Sequence, residues 1–219
     1  DTPPARHFIK VVYEINGPVR LLRPDEDLPG LAQAWRRLHG FVQTDQGAIE
    51  RLARPWQVRQ EPEPAADLER ALQRTIGNPV FALELLRQLC VASRTVREGK
   101  PLLSRDLIIL VEGADMLIPE GEIGRLAEAD RRKIGICRDW FSDPGFMNGE
   151  DSVVLLAESA SRLNEELTRL PQLLDVEIPS PHTPERLAFI NWFIAHQPED
   201  RRPALWSTPE ELAEQTAGL

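Results

Sequence analysis

Residues 106–118 read DLIILVEGADMLI. An unbroken apolar run of strand length, closed by Glu112 and Gly113 with a further acid at Asp115, is the pattern of a strand buried on both faces. Residues 151–157, DSVVLLA, read as a second fully buried strand, and residues 173–178, LLDVEI, as a third, ended by Pro179, Ser180 and Pro181. Upstream, residues 8–13, FIKVVY, are short, β-branched and partly alternating, which marks another strand. Residues 56–59 are a weaker strand candidate.

Helical patterns lie between these runs. Residues 28–41 carry helical periodicity through Leu31, Trp35 and Leu38, with Gly40 near the stop. Residues 68–74 form a helix started by Pro64 or Asp67, and Gly77-Asn78-Pro79 interrupts it. Residues 80–97 place Phe81, Leu85, Leu86, Leu89 and Cys90 on one face. Residues 123–140 read as one long amphipathic helix. Residues 184–196 turn Leu187, Ile190 and Phe193 inward. A last helix opens at Ser207 or Thr208 as cap, with Pro209 in the first turn and Glu210 and Glu211 at the positive end of the dipole. Strands alternating with helices predict an α/β domain with a parallel sheet covered on both faces. Ligands in such sheets bind beyond the carboxyl ends of the strands, which directs attention to the junctions after Leu110, Ala157 and Ile178.

Composition narrows the class. The 219 residues are 42% hydrophobic and 28% charged, ordinary for a globular chain able to bury a sizeable core. Against 35 acidic residues stand 26 basic ones, giving a net charge of -9. An acidic surface repels a phosphate backbone, so nucleic-acid binding is not expected. No run reaches the roughly 18 apolar residues of a membrane helix, and no signal peptide opens the chain. Cys90 and Cys137 sit inside apolar helical patterns and read as reduced core thiols of a cytoplasmic protein. His7, His39, His182 and His196 lack metal-ligand spacing and read as surface or interface histidines. Trp35, Trp56, Trp140, Trp192 and Trp206 read as packing residues. The first residue is Asp1, so the chain is read as a segment of a longer protein.

Four segments in order resemble an AAA ATPase domain, from about Leu102 to Leu219. LIILVEGADMLIP, residues 107–119, resembles the Walker B strand. SVVLLAESASRLNEEL, residues 152–167, resembles the sensor-1 strand and its following loop. LLDVEIPSPHTPERLAFI, residues 173–190, resembles the strand that leads through Pro-x-Pro into the helical lid. ELAEQTAGL, residues 211–219, resembles the lid segment Leu-Ala-x-x-Thr-x-Gly. The resemblance implies a P-loop-NTPase-like three-layer core over residues 1–182, with residues 1–101 matched by element order alone. It further implies the start of a C-terminal helical lid over 183–219 and further lid helices beyond Leu219.

The residues that hydrolysis needs are missing or altered. ATP hydrolysis in this family uses G-x-x-x-x-G-K-[ST], with backbone N–H groups cradling the phosphates, Lys on the β/γ-phosphates and a hydroxyl on Mg²⁺. That motif is absent. The single Gly-Lys, Gly99-Lys100, is followed by Pro101 and reads as a surface turn; after the first strand the chain offers EINGPVRLLRP. At the Walker B position the acid pair is replaced by Glu112 and Gly113, and Gly carries no side chain to polarise water. Asp115 matches the next family acid, and the resemblance leaves Glu112 and Asp115 to receive a neighbouring Arg. At sensor 1 the family's Thr-Asn is replaced by Glu158 and Ser159, and a carboxylate facing phosphate is repulsive. Arg169, near the place of the arginine finger, and Arg186 are expected at subunit contacts.

The leading expectation is a non-catalytic, AAA-like first domain of a larger ATPase. It would serve assembly, recruitment or regulation, with other AAA subunits or a downstream AAA domain as partners and no cofactor of its own. Three alternatives stand beside it. An ATPase with an unconventional Mg·ATP site needs a Gly-rich loop that the sequence lacks. A clamp-loader-like structural subunit needs a basic groove, which a net charge of -9 disfavours. A plain interaction module predicts a strand order unlike the family's and no lid.

Overall fold

The computed structural model describes residues 8–53, 64–198 and 203–216, with 40–53 and 64–66 as backbone only. In chain order the elements are β1 (Ile9–Glu14), β2 (Arg20–Leu21), α1 (Pro24–Ala53), α2 (Pro64–Gln73), α3 (Pro79–Arg94), β3 (Val96–Arg97), β4 (Lys100–Pro101), β5 (Leu107–Glu112), α4 (Ala114–Leu117), α5 (Glu128–Phe141), α6 (Pro144–Met147), β6 (Ser152–Leu155), α7 (Glu165–Thr168), α8 (Thr183–His196) and α9 (Pro209–Gln215). Two compact units divide the chain, 1–174 and 175–219.

The first unit is built on a four-stranded sheet in the order β2-β1-β5-β6. β1 runs parallel to β5, from Ile9 opposite Leu107 to Glu14 opposite Glu112, and β5 runs parallel to β6. β2 returns antiparallel along β1. The expected α/β class with a parallel core is therefore present. β1 sits between two strands, and its alternate residues Ile9, Val11 and Tyr13 are fully buried, with Val12 nearly so. Leu107, Ile109 and Val111 of β5 and Leu83, Leu85, Leu86, Leu89 and Cys90 of α3 join them in one core cluster. Each such aliphatic side chain contributes about 1.5–3 kcal/mol on burial. α3 is punctuated as the sequence suggests, with Pro79 in its first turn and the Asn78 side chain accepting from Phe81 N at 3.2 Å.

Several expectations need correction. The apolar run 106–118 is a strand only to Glu112; Ala114–Leu117 is a helical turn, because Gly113 breaks the extended backbone with φ +66°. The run 151–157 forms the strand Ser152–Leu155 at the sheet's edge, with alternating exposure rather than burial on both faces. Val154 is 42% exposed there. Apolar content alone does not distinguish an edge from a centre. Residues 173–178 form no strand: Leu174, Val176 and Ile178 are 83%, 69% and 82% exposed, so neither ladder bonds nor burial offset the cost of ordering them. The junction after Ile178 is accordingly not a strand end. The predicted helix 123–140 is a 3₁₀ turn at Ile123–Arg125 followed by α5. The candidate strand 56–59, with Trp56, lies outside the described residues.

Ion pairs and hydrogen bonds fasten the first unit. Arg105 Nη1 lies 2.7 Å from the buried Asp27 carboxylate, tying the start of α1 to the loop entering β5. Gly99 and Lys100 belong to the exposed β3–β4 hairpin, as a surface turn should. Cys90 and Cys137 are buried free thiols. Trp140 is buried, whereas Trp192 and Trp206 are exposed rather than packed.

The second unit is the pair α8 and α9. Thr208 caps α9, accepting from Glu211 N at 3.2 Å, with Pro209 in the first turn. No residue of α8 is buried, and Phe193, expected inward, is 40% exposed. The reason is composition: α8 is apolar on most of its circumference, and the seven-residue α9 covers little of it.

Candidate functional site

The carboxyl edge of β1, β5 and β6 is where this fold class places ligands. At the end of β1 the chain turns back into β2 instead of entering a helix. Asn16 adopts φ +62°, and Gly17 N donates to Glu14 O at 2.9 Å. Pro18 has no N–H. Val19 N donates to the Thr75 hydroxyl at 2.9 Å, and Gly77 N donates to Asn16 O at 3.0 Å. Thr75 is fully buried, and its own hydroxyl donates to Leu72 O at 2.5 Å. The α2–α3 connection is thereby laid against the β1–β2 turn, and the Gly17 and Val19 N–H groups are committed internally. Below this turn Tyr13 is fully buried with its hydroxyl unpaired. Burial pushes its phenol up, opposed in part by the nearby Asn16 backbone.

At the end of β5, Glu112 lies opposite Glu14 in the ladder. Gly113 follows in the left-handed region, at φ +66° and ψ +39°, as the first residue before α4. A Cβ there would meet Met116 Cε at 3.1 Å and Ile15 Cγ2 at 3.7 Å. The backbone thus favours the glycine that stands where the resemblance wants a catalytic acid. Ala114 N donates to Leu156 O at 2.8 Å, and Leu156 N to Val111 O at 2.8 Å, so the loops after β5 and β6 are stitched together. Ala114, Leu117 and Ile118 are buried beneath them.

The loop after β6 brings the acids together through one arginine. Arg162 Nη1 pairs with Glu158 and reaches Asp115 Oδ2 at 3.8 Å. The Arg expected beside Asp115 is therefore Arg162. Glu112 makes no ion pair among the described residues, while Glu14 has Arg20 at 3.7 Å. Ser159 caps the short 3₁₀ turn Ala160–Arg162, accepting from Ser161 N. Both sensor-1-like residues are thus engaged in the local structure of their own loop.

Sequence reading missed Arg162 and Asn164. Asn164 is fully buried, and its amide donates to Pro119 O at 3.1 Å and Gly121 O at 3.0 Å. Its side-chain oxygen accepts from Glu166 N at 3.2 Å, and its N–H donates to Ile118 O at 3.1 Å. Asn followed by two Glu is a helix-start signal that reveals the cap. The bonds to Pro119 and Gly121, 45 and 43 residues away, leave no local trace.

The two arginines expected at subunit contacts are occupied within the chain. Arg169 pairs with Glu165 at 2.6 Å on the surface. Arg186 donates to Ala213 O at 2.8 Å, to Thr183 Oγ1 at 2.9 Å and to Pro181 O, which binds α8 to α9 inside the second unit. His182 N donates to the Glu185 carboxylate at 2.8 Å at the start of α8, and the His39 and Trp35 rings lie 4.1 Å apart, tilted by 52°. Among the described residues no group of three or more His, Cys, Asp or Glu is placed to hold a metal ion, and no helix is long and apolar enough to cross a membrane.

A comparison with curated proteins returns no match. A family model does match, and it covers most of the chain, including every strand of the sheet. The chain belongs to the family described as the AAA+ chaperone N-terminal Rossmann-like domain, which matches residues 6–179.

Proposed function

We propose that this domain is a non-catalytic part of a larger AAA+ protein, serving assembly, partner recruitment or regulation rather than ATP turnover. The observation that carries this reading is the closure of the sheet's carboxyl edge. A phosphate cradle requires successive backbone N–H groups turned outward at a helix start. After β1 the Gly17 and Val19 N–H groups are spent on Glu14 and Thr75, and the chain forms a hairpin. Of the Walker B-like residues, Asp115 faces Arg162, Glu112 is left as the acid without an ion pair among the described residues, and Gly113 has no side chain to act as a base. On this reading the domain holds no Mg·ATP of its own. Losing several parts of a hydrolytic machine together leaves negligible rate, because each alone costs orders of magnitude.

The partners on this reading are other AAA subunits or a downstream AAA domain of the same protein, met through protein surfaces. The helical pair α8–α9 is assigned to the lid, with exposed Phe189, Trp192 and Phe193 available for such contacts. Phosphate release by the purified chain with Mg·ATP tests the non-catalytic assignment. The expected result is a rate indistinguishable from buffer; turnover that Asp115→Asn abolishes would overturn it.

A further inference from the structure

The two faces of the four-stranded sheet are unequally covered. Successive side chains of a strand point to opposite faces. Ile9, Val11 and Tyr13 of β1 and Leu107, Ile109 and Val111 of β5 share one face, and with Leu31 of α1, Leu86 of α3 and Ile134 of α5 they form the core. Val12, Ile108 and Leu110 point the other way and have no share in that core. The ladder registers set Arg20, Val12, Leu110 and Val154 side by side across the four strands, with Lys10, Ile108 and Ser152 in the next row toward the amino end. Val12 is nearly buried within its row and Ile108 and Leu110 are half-buried, but Leu22, Val154 and Leu156 at the margins are 58%, 42% and 40% exposed. Parallel strands are found almost only in sheets covered on both faces, so this second apolar face is a surface that lacks its layer.

The charges on the same face run head to tail. Lys10 stands exposed at the amino end and makes no ion pair among the described residues. At the carboxyl end Glu14 and Glu112 lie directly opposite each other in the ladder, where like charges repel. Glu14 has Arg20 at 3.7 Å, and Glu112 has no ion pair among the described residues. A two-fold axis lying parallel to the sheet and across its strands turns such a face onto itself. Apolar row then meets apolar row, and Lys10 of each copy comes to the Glu14–Glu112 pair of the other. An isologous contact makes each such pairing twice.

We propose that this face docks a second copy of the chain, sheet against sheet, through Val12, Leu110 and Val154 and two reciprocal Lys10–Glu112 pairs. The inference extends the assembly role proposed above, and its failure would leave the absence of ATP turnover untouched. By strand spacing and rise the face measures about 15 Å by 15–20 Å, well short of the ~800 Å² per partner of a standard interface. The dimer is accordingly weak and forms at high protein concentration.

Sedimentation equilibrium of the intact chain from about 10 μM to about 1 mM covers the range of weak association. The net charge of -9 on each copy opposes docking, so the measurement is made at about 0.15 M salt, where long-range repulsion is screened. The average mass should climb from one chain toward two; the mass of a single chain throughout would overturn the proposal. Val154→Arg, at an exposed position, should keep the thermal midpoint and abolish the climb; a folded variant that associates like wild type would place the contact elsewhere and overturn it. Lys10→Glu and Glu112→Lys each set like charges against one another twice and should stay monomeric alone. Mixed in equal amounts, they oppose unlike charges at both pairings, and the climb should return. A mixture no more associated than its components would refute the reciprocal pairing, and loss of fold cannot mimic recovery on mixing.

Discussion

Replacing Gly113 with alanine isolates the reason the candidate catalytic-base position is empty of side chain. The residue sits at φ +66°, where an L-amino acid with a Cβ is strained by about 1–2 kcal/mol. The steric part is small. Met116 Cε at 3.1 Å is the mobile end of a side chain 61% exposed, and Ile15 Cγ2 at 3.7 Å is in ordinary contact. Backbone strain therefore dominates, offset by roughly 0.5 kcal/mol from the reduced freedom of the unfolded chain. The net expectation for Gly113→Ala is a loss of about 1 kcal/mol, or a thermal midpoint lower by about 2–4 °C. Gly135 supplies the control: it lies in the middle of α5 with open space where its Cβ would be. Gly135→Ala should stabilise by about 0.5–1 kcal/mol through helix propensity. Urea titration of both variants reads the two signs directly. If both stabilise, the glycine is not demanded by the backbone, and the account of the lost acid fails. Gly113→Glu should lose stability like the alanine variant and gain no turnover.

Three other outcomes follow from the packing. Arg105→Met leaves the Asp27 carboxylate buried without its partner and should cost about 3 kcal/mol in urea unfolding; a loss under about 0.5 kcal/mol would mean that water reaches Asp27. Asn164→Ala removes two donated bonds and one accepted bond in the buried loop clasp and should cost about 2–4 kcal/mol, detected as a lower urea midpoint. Cys137 is buried with its thiol pushed up to about 12, and Cys90 is raised as well. Neither should therefore react with a thiol reagent at neutral pH until the chain unfolds, and prompt labelling of the native protein would contradict their burial.

The fold was legible where a pattern has one physical outcome. Val11, Tyr13, Ile109 and Val111 announce central strands because β-branched and aromatic side chains at alternate positions fit a covered pleated face. Asn78-Pro79 and Thr208-Pro209 announce helix starts through capping chemistry. Legibility ended where partners decide. Nothing in VVLL separates an edge strand from an inner one, and LLDVEI has strand composition yet stays unpaired, because a strand exists only through its neighbour. At the site, the missing cradle and the Gly113 substitution could be read directly, since both are matters of residue identity. Arg162 and Asn164 could not, because they act on Asp115, Pro119 and Gly121, more than forty residues away in sequence.

Calorimetric titration of the folded chain with Mg·ATP and with ADP tests the central claim most directly. A carboxyl edge whose N–H groups are spent and whose Asp115 already faces Arg162 predicts no heat of binding. Binding with a dissociation constant below about 100 μM, roughly -5.5 kcal/mol, would contradict it and restore nucleotide binding to this domain.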